Sequence, residues 1–346
     1  MPEPLHIGFI GAGGNTRRKH IPFFAAIDGV ENAGVVNRSR ESSQRVADEF
    51  GIPKVYDAWE DLIADPEIDA VCIGTWPYMH CPMTLAALEA GKHVLCEARM
   101  AMNASEARQM LEASLARPEL VTQIVPSPVM LGGPDAAIYQ AMRENRLGDL
   151  VAVDVIGAGG MFPDTDSPMS WRQDVELSGY NTMGLGIAYE ALVRWVGPAR
   201  TVCAVTRINV PQRKDAEGRV RDIKVPDHVE VIGELENGAT YHLQSSMATG
   251  GGPKGGVWIY GTEGTLKVAN KQVMLTTRGA EVPEDITTPE NSWTGWRVEE
   301  EFVGAIRGEE EIKFTTFEDG VRYMDFTEAV ARSHADGRRI ELPLGD

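Results

Sequence analysis

The stretch that decides the fold is LHIGFIGAGGNT, residues 5–16. Its first half is a short apolar run that predicts a buried strand, and a helical pattern follows the glycines. In a strand–turn–helix of this kind, Gly11 permits the tight turn and Gly13 lets the backbone approach a pyrophosphate at the helix N-terminus. Thr16 stands imperfectly where a third glycine is usual. The predicted cofactor-binding residues of this turn are Gly11, Gly13, Gly14, Asn15 and Thr16.

The residues around this turn favour a nucleotide-binding domain over a purely structural strand–turn–helix. Short apolar runs alternate with helical patterns as far as about residue 125, with strand-like runs at 70–74 and 93–97. Asn103 followed by Glu106 is typical of a capped helix N-terminus. Strands separated by helices predict βαβ units and a doubly wound parallel sheet, so residues 1–125 are predicted to form a dinucleotide-binding Rossmann domain.

The pattern changes after residue 125, at prolines and glycines that are typical of a domain junction. Strand-like runs separated by turn signals follow at residues 151–156, 201–208, 229–235, 240–246, 257–260 and 265–268. A helical pattern at about 181–196 separates the first two runs. Residues 126–346 are therefore predicted to form a substrate and oligomerisation domain of α+β class, with a largely antiparallel open sheet. A C-terminal helix at about 317–335 that packs back on the first domain is an open alternative.

Composition excludes several classes of protein. The chain has 346 residues with 33 basic and 51 acidic side chains, a net charge of −18, which repels nucleic acid and anionic membranes. No apolar run approaches the ~18 residues of a membrane-spanning helix. The first residues lack the basic region of a secretory signal, which predicts a cytoplasmic location. The spacing of the cysteines and histidines indicates neither a disulfide framework nor a metal site.

The end of the second predicted strand normally carries the residue that reads the adenosine ribose. An acidic residue there would bind the 2′-hydroxyl of NAD, but the sequence is Asn37-Arg38-Ser39-Arg40. Guanidinium groups and a hydroxyl suit a 2′-phosphate, so NADP is the predicted cofactor, with NAD as a possibility. The predicted contacts are Arg17, Asn37, Arg38 and Ser39. Arg18, Lys19 and Arg40 would add to a local positive patch, and solvated surface arginines are the alternative.

Further motifs resemble those of the Gfo/Idh/MocA family, the glucose–fructose oxidoreductase and inositol dehydrogenase group. TWPYMH at residues 75–80 is similar to the family's Thr-Pro-Asn-x-x-His segment, with Thr75 and His80 in place. AALEAGKHVLCE at residues 86–97 is similar to the run into its Glu-Lys-Pro motif. IYGTEGTL at residues 259–266 resembles a turn of its second domain. The resemblance covers nearly the whole chain.

The resemblance implies a Rossmann domain and an open-sheet α/β domain whose sheet face often mediates dimerisation, so a homodimer or homotetramer is expected. It also implies hydride transfer between a nicotinamide and a sugar, cyclitol or related polyol. The residues then expected at the cofactor are Thr75, Trp76, His80 and Glu97. Those expected at the substrate are Trp171, Arg172 and Tyr180, near the catalytic helix. For His80, packing within its own helix is the alternative.

The usual acid and base groups of the family are missing. Its Glu-Lys-Pro motif is Glu97-Ala98-Arg99 here, so alanine replaces the lysine that the family is expected to use in proton transfer. The aspartate and histidine of its second signature align with Gly184 and Ala188. Oxidation of a secondary alcohol still needs a group that manages the hydroxyl proton.

Helical geometry indicates which residues could substitute. Residues three or four apart share a helix face, which places Asn181 on the face of Gly184 and Ala188, with Tyr189 at its edge. Arg99 follows the carboxyl end of a strand, where ligands bind in open α/β sheets. The predicted catalytic residues are therefore Asn181, Tyr189 and Arg99. The alternatives are a helix cap for Asn181, packing for Tyr189 and an ion pair for Arg99.

The sequence therefore predicts an NAD(P)-dependent oxidoreductase that transfers hydride to or from a sugar, cyclitol or related polyol, with a non-standard acid/base set. Two other functions stay open at this point. One is a redox-neutral lyase or hydrolase that retains its nicotinamide cofactor. The other is a protein that binds NAD(P) without catalysis.

Overall fold

The computed structural model describes residues 4–131, 133–252, 255–289 and 295–345. The first three residues, on which the expected lack of a secretory signal depends, lie outside these ranges. The chain divides into two compact units. The first unit comprises Met1–Pro126 and Arg297–Val321, and the second comprises Ser127–Trp296 and Arg322–Asp346.

The first unit is built on a six-stranded parallel sheet with the strand order β3-β2-β1-β4-β5-β6. The strands are β1 (Leu5–Ile10), β2 (Val30–Val36), β3 (Lys54–Val55), β4 (Ala70–Ile73), β5 (His93–Cys96) and β6 (Thr122–Ile124). Every residue of β4 is buried, as expected where helices cover both faces of a parallel sheet. The predicted Rossmann sheet is confirmed. Its strand order reverses between β1 and β4, which is where ligands bind in doubly wound sheets.

Helices connect these strands, and their ends follow local sequence signals. They are α1 (Ile21–Ala25, after a π-helical turn at Thr16–His20), α2 (Arg40–Phe50), α3 (Trp59–Ala64), α4 (His80–Glu89) and α5 (Ala104–Leu115). The Asn103 side chain accepts a hydrogen bond of 2.9 Å from the Glu106 N–H and so caps α5 as predicted. Ser39 caps α2 in the same way, and Gly91 follows α4 with a φ of +76°.

The second unit is built on a nine-stranded sheet with the order β16-β15-β14-β13-β7-β12-β11-β8-β17. Its strands and those of a separate β9–β10 hairpin are β7 (Leu150–Ala158), β8 (Thr201–Arg207), β9 (Gln212–Lys214), β10 (Val220–Asp222), β11 (His228–Glu234), β12 (Thr240–Ser246), β13 (Gly256–Gly261), β14 (Gly264–Ala269), β15 (Gln272–Thr277), β16 (Glu284–Asp285) and β17 (Ile340–Glu341). Neighbouring strands are antiparallel except β7 and β12, which confirms the largely antiparallel sheet. The sequence reading missed β15, although its buried Val273 and Leu275 alternate with less buried residues.

The remaining helices are α6 (Gly133–Arg143), α7 (Val175–Ser178), α8 (Leu185–Val196), α9 (Val298–Ile306) and α10 (Phe317–Asp336). The predicted start of α8 at about residue 181 is wrong, because the helix begins after Gly184. Met183 has a φ of +47°, a left-handed conformation that a right-handed helix does not accommodate. Asn181 is therefore neither in this helix nor its N-cap. Within the described ranges, no helix is both long and apolar enough to cross a membrane.

Arg297–Val321 belongs to the first unit, whereas the sequence assigned all residues after 125 to the second domain. Two contacts within the first unit explain the difference. The Ile124 N–H at the end of β6 donates to the Thr315 carbonyl at 2.9 Å. Glu299 of α9 contacts the imidazole of His20, which lies in the π-helical turn before α1. The boundary between the units falls inside α10.

Candidate functional site

The turn after β1 is packed tightly on one side and open on the other. Gly11 has a φ of +86°, and a Cβ there would lie 2.8 Å from the Thr75 backbone nitrogen. A Cβ on Gly14, where the helical segment begins, would meet nothing within 4 Å. The N–H groups of a first helical turn have no acceptor within the helix and favour anions. The turn therefore fits the pyrophosphate of a dinucleotide.

Thr16 fits in place of the usual third glycine because a different glycine faces it. Its side chain is buried, and its hydroxyl lies 3.4 Å from the Gly11 carbonyl oxygen. A Cβ on Gly74, just after β4, would overlap both the Thr16 hydroxyl and that carbonyl oxygen. The sequence reading overlooked Gly74, whose position directly after a buried strand was the available signal.

At the end of β2, the side chains of Asn37 and Ser39 bond to backbone N–H groups, and the side chain of Arg38 is exposed to solvent. Asn37 accepts a hydrogen bond of 2.7 Å from the Ala12 N–H and thereby fixes the glycine turn. Ser39 is occupied as the cap of α2. The exposed Arg38 guanidinium lies 5.6 Å from the ring centre of Trp76, which follows β4. Two predicted cofactor residues, Arg38 and Trp76, are thus brought together beside the turn.

The positive patch expected from the sequence is weaker in the structure, because acidic groups lie against it. Arg17 pairs with Glu49, and Arg40 pairs with Asp57 at 2.8 Å. Arg18 instead donates to the Gly14 carbonyl at 3.0 Å. Glu49 and Asp57 are distant in the sequence from the arginines with which they pair, so composition alone did not reveal these ion pairs.

His80 connects the ends of two neighbouring strands. Its ring is fully buried, with Nδ1 2.9 Å from the Arg99 carbonyl oxygen and Nε2 3.1 Å from the Thr75 carbonyl oxygen. Burial lowers the pKa of His80 despite these contacts, so the ring is neutral near pH 7. His80 is thus held between two strand ends, and a role for it at the cofactor stays a prediction. The Arg99 side chain, also in the first unit, is 5% exposed.

A buried ion cluster lies at the carboxyl end of β5. His20 Nδ1 donates to Glu299 Oε1 at 2.5 Å and Nε2 donates to Glu97 Oε1 at 3.0 Å. Asn15 of the glycine turn donates to the same Glu97 oxygen at 2.5 Å. Burial alone would lower the pKa of His20, but its hydrogen bonds to Glu299 and Glu97 and their charges raise it to about 9. Burial opposes ionisation of Glu97, yet His20 and Asn15 hold the pKa of that carboxyl below its usual range.

The predicted substrate residues lie in the second unit, along the segment before α8. The exposed Arg172 guanidinium stacks 4.4 Å from the centre of the Trp171 ring. Arg172 also lines a cavity of about 200 Å³ together with Met161, Phe162 and Met183. Tyr180 is 42% exposed. The neighbouring Asn181 is buried, and its amide donates to the Ser178 carbonyl at 2.7 Å.

Tyr189 is buried in α8, about 100° around the helix from the partly exposed Ala188. Its ring stacks on Phe326 at 3.7 Å between ring centres, and its hydroxyl accepts a hydrogen bond of 2.9 Å from the Ala199 N–H. Burial raises the pKa of Tyr189 to about 12. The expected position at the edge of the active face is thus corrected to a position in the core, where a phenol is a poor base. No group of three or more metal-binding side chains occurs in the part of the chain that the structure describes.

Two family models match the chain. Residues 5–123 match GFO_IDH_MocA, described as an oxidoreductase family with an NAD-binding Rossmann fold. Residues 136–267 match the C-terminal domain of the same group. The two matches cover the glycine turn, the ion cluster's Glu97 and the segment from Trp171 to α8.

The sequence identity to individual relatives is low. The chain is 27% identical to an uncharacterised oxidoreductase, ORF334, of Rhizobium meliloti, over only 56% of each protein. It is 28% identical to 1,5-anhydro-D-fructose reductase of Ensifer adhaerens over 98% of each. A solved levoglucosan dehydrogenase in complex with NADH and L-sorbose aligns with a TM-score of 0.84, at 21% identity, over 98% of this chain and 99% of that one. That likeness shows the shared fold.

The ion cluster predicts a loss of stability at alkaline pH. The pKa of His20 is raised from 6.5 to about 9, so its stabilising contribution of about 3 kcal/mol is complete below pH 6.5 and lost as the pH rises through 9. Urea unfolding between pH 6.5 and 10 measures this loss. The His20→Gln variant, already less stable, is expected to show about 3 kcal/mol less pH dependence.

The matched control is His334→Gln, which removes an exposed histidine and is expected to preserve the wild-type pH profile. Parallel pH profiles for the wild type and His20→Gln would contradict the prediction.

Proposed function

Because this chain belongs to the Gfo/Idh/MocA family of oxidoreductases, we propose that it transfers hydride between NADP and a sugar, cyclitol or related polyol. The observation that carries the proposal is the glycine turn at the reversal of strand order, packed against Thr75 and open above Gly14. A bound nicotinamide would accept or supply the hydride. The named relatives, a reductase of 1,5-anhydro-D-fructose and a levoglucosan dehydrogenase, support a sugar as substrate.

The preference for NADP rests on Arg38. Its guanidinium is exposed beside Trp76 at the end of β2, where the adenosine ribose lies in dinucleotide-binding domains. A 2′-phosphate there would form charge-assisted hydrogen bonds with Arg38. Asn37 and Ser39 hold the backbone on either side of Arg38. The ion pair of Arg17 with Glu49 would border the proposed phosphate site. Gly13, Asn15 and Thr16 belong to the turn that would bind the pyrophosphate.

Arg99 of the first unit and Asn181 of the second are each proposed as catalytic residues, and Tyr189 is not. A guanidinium stays charged at every physiological pH, so Arg99 would stabilise an alkoxide as the hydroxyl proton leaves to water. The carboxamide of Asn181 would orient the substrate hydroxyl. Trp171, Arg172 and Tyr180 would contact the rest of the sugar.

We also propose that the protein works in the cytoplasm as a homodimer or homotetramer. Val205 and Ile232 are 65% and 57% exposed on one face of neighbouring strands β8 and β11. A second copy that covers this face would remove both side chains from water. A monomer in analytical ultracentrifugation at micromolar concentration would contradict this part of the proposal.

Absorbance at 340 nm during turnover tests the reaction class. With a panel of sugars and polyols, a dehydrogenase is expected to form one reduced cofactor for each product molecule. Product without a net absorbance change would indicate the redox-neutral lyase or hydrolase. Cofactor binding without any product across the panel would indicate the non-catalytic alternative.

Arg38→Ala is expected to weaken NADPH binding by about ten- to a hundredfold, because charge-assisted hydrogen bonds to the 2′-phosphate are lost. NADH affinity is expected to change little. Isothermal titration calorimetry measures both affinities. Arg40→Ala, whose guanidinium is paired with Asp57, is the matched control and should retain NADPH binding. Tighter or equal binding of NADH by the wild type would refute the preference.

Asn181→Ala is expected to lower kcat by about a hundredfold, through loss of a preorganised polar contact with the substrate. Tyr189→Phe is expected to leave kcat unchanged and to lower the free energy of unfolding by about 1 kcal/mol, because the Ala199 N–H loses its acceptor. Steady-state kinetics and thermal unfolding separate the two effects. Full turnover by a folded Asn181→Ala variant would remove Asn181 from the catalytic set.

A further inference from the structure

The ion cluster in the first unit contains a charged residue that the proposed reaction does not use. His20 is completely enclosed, and both ring nitrogens are occupied by carboxylates. Glu299 is itself 1% exposed, on α9 of the C-terminal stretch that joins this unit. Protonation of His20 stabilises the fold relative to its neutral form, but burying ions is costly even when they are paired, so the cluster as a whole is weak evidence for stability alone.

The groups that face the cluster set its charge. His20 comes from the helical turn after the glycines, Glu97 from the end of β5 and Glu299 from α9. The nearby Cys72 and Cys96 thiols stay neutral, because burial raises the pKa of each well above its usual value. The imidazolium and the two carboxylates by themselves sum to one negative charge.

The cluster touches the cofactor turn directly through Asn15, which donates to Glu97. The adenosine end of a dinucleotide lies at β2, on one side of β1. The nicotinamide half of a bound dinucleotide would therefore lie on the other side of the strand-order reversal, toward the carboxyl ends of β4 and β5. Glu97 occupies the end of β5. The nicotinamide ring carries a positive charge when oxidised and none when reduced.

We propose that His20 and Glu299 are positioning residues that fix an ionised Glu97 against Asn15, and that the net negative charge of the cluster makes the site favour the oxidised nicotinamide over the reduced one. The inference rests on the proposed cofactor binding. Neither positioning residue touches the reacting atoms. Their effect is on the ratio of the two cofactor affinities, which a purely structural ion cluster would leave unchanged.

Calorimetric Kd values for NADP and NADPH at pH 6 test the proposal. Glu299→Gln keeps an oxygen for the His20 hydrogen bond and removes one negative charge, and the acidic pH favours a protonated His20 although loss of the Glu299 carboxylate lowers its pKa. It is expected to weaken NADP binding relative to NADPH by about three- to tenfold. The matched control is Glu300→Gln, which removes an exposed carboxylate one residue along α9 and should leave the ratio unchanged. An unchanged ratio in a folded Glu299→Gln variant would overturn the inference.

The wild-type protein provides a second test that does not depend on a variant folding. When the pH rises through about 9, His20 loses its proton and the cluster becomes more negative. The preference for NADP over NADPH is then expected to increase several-fold between pH 8 and 10, since proton and cofactor binding are reciprocally linked. A ratio that stays constant over this range would overturn the inference.

The nitrogen-15 NMR spectrum of His20 in the cofactor-free protein tests the charge of the ion cluster independently of cofactor binding. Two protonated ring nitrogens at pH 7.5 are expected, and a neutral ring would overturn the inference directly. Failure of the wild type to bind either cofactor would instead overturn the proposed function, and the selectivity with it. Binding of both cofactors with an insensitive ratio would overturn only the role of the cluster.

Discussion

The close packing of the Gly11 turn on the end of β4 is the contact on which the candidate site depends. The turn and the strand end approach closely, because Gly11 faces the Thr75 backbone and Gly74 faces the Gly11 carbonyl. A side chain at either glycine would push β1 and β4 apart at the point where the strand order reverses. Thr16 occupies the small space that remains, so a threonine in the third glycine position is compatible with the fold.

Two buried histidines hold the neighbouring strand end in different ways. His80 is neutral and contacts backbone carbonyls at the ends of β4 and β5. His20 is charged and contacts carboxylates from β5 and α9. His80 fixes the geometry of these strand ends at pH values near 7. His20 also contributes a charge there. Burial without acidic partners lowers a histidine pKa, and burial between two carboxylates raises it.

Local signals predicted most of the fold, because strands and helix caps depend on adjacent residues. β1 and the cap of α5 at Asn103 are examples in which periodicity or one side chain is sufficient. The contact of His20 with Glu299 joins positions 279 residues apart, and no local pattern indicates it. Asn181 was misplaced for another reason. The left-handed Met183 delays the start of α8, which invalidated the extension of that helix to Asn181.

The packing of the glycine turn bears on cofactor binding, whereas the acid and base groups of the reaction stay a prediction. A crystal structure with bound NADPH tests the proposed cofactor binding most directly. The pyrophosphate is expected at the N–H groups of the turn after Gly13, and the 2′-phosphate is expected on the Arg38 guanidinium beside Trp76. A dinucleotide bound away from this turn, or a 2′-phosphate that points away from Arg38 into solvent, would contradict it.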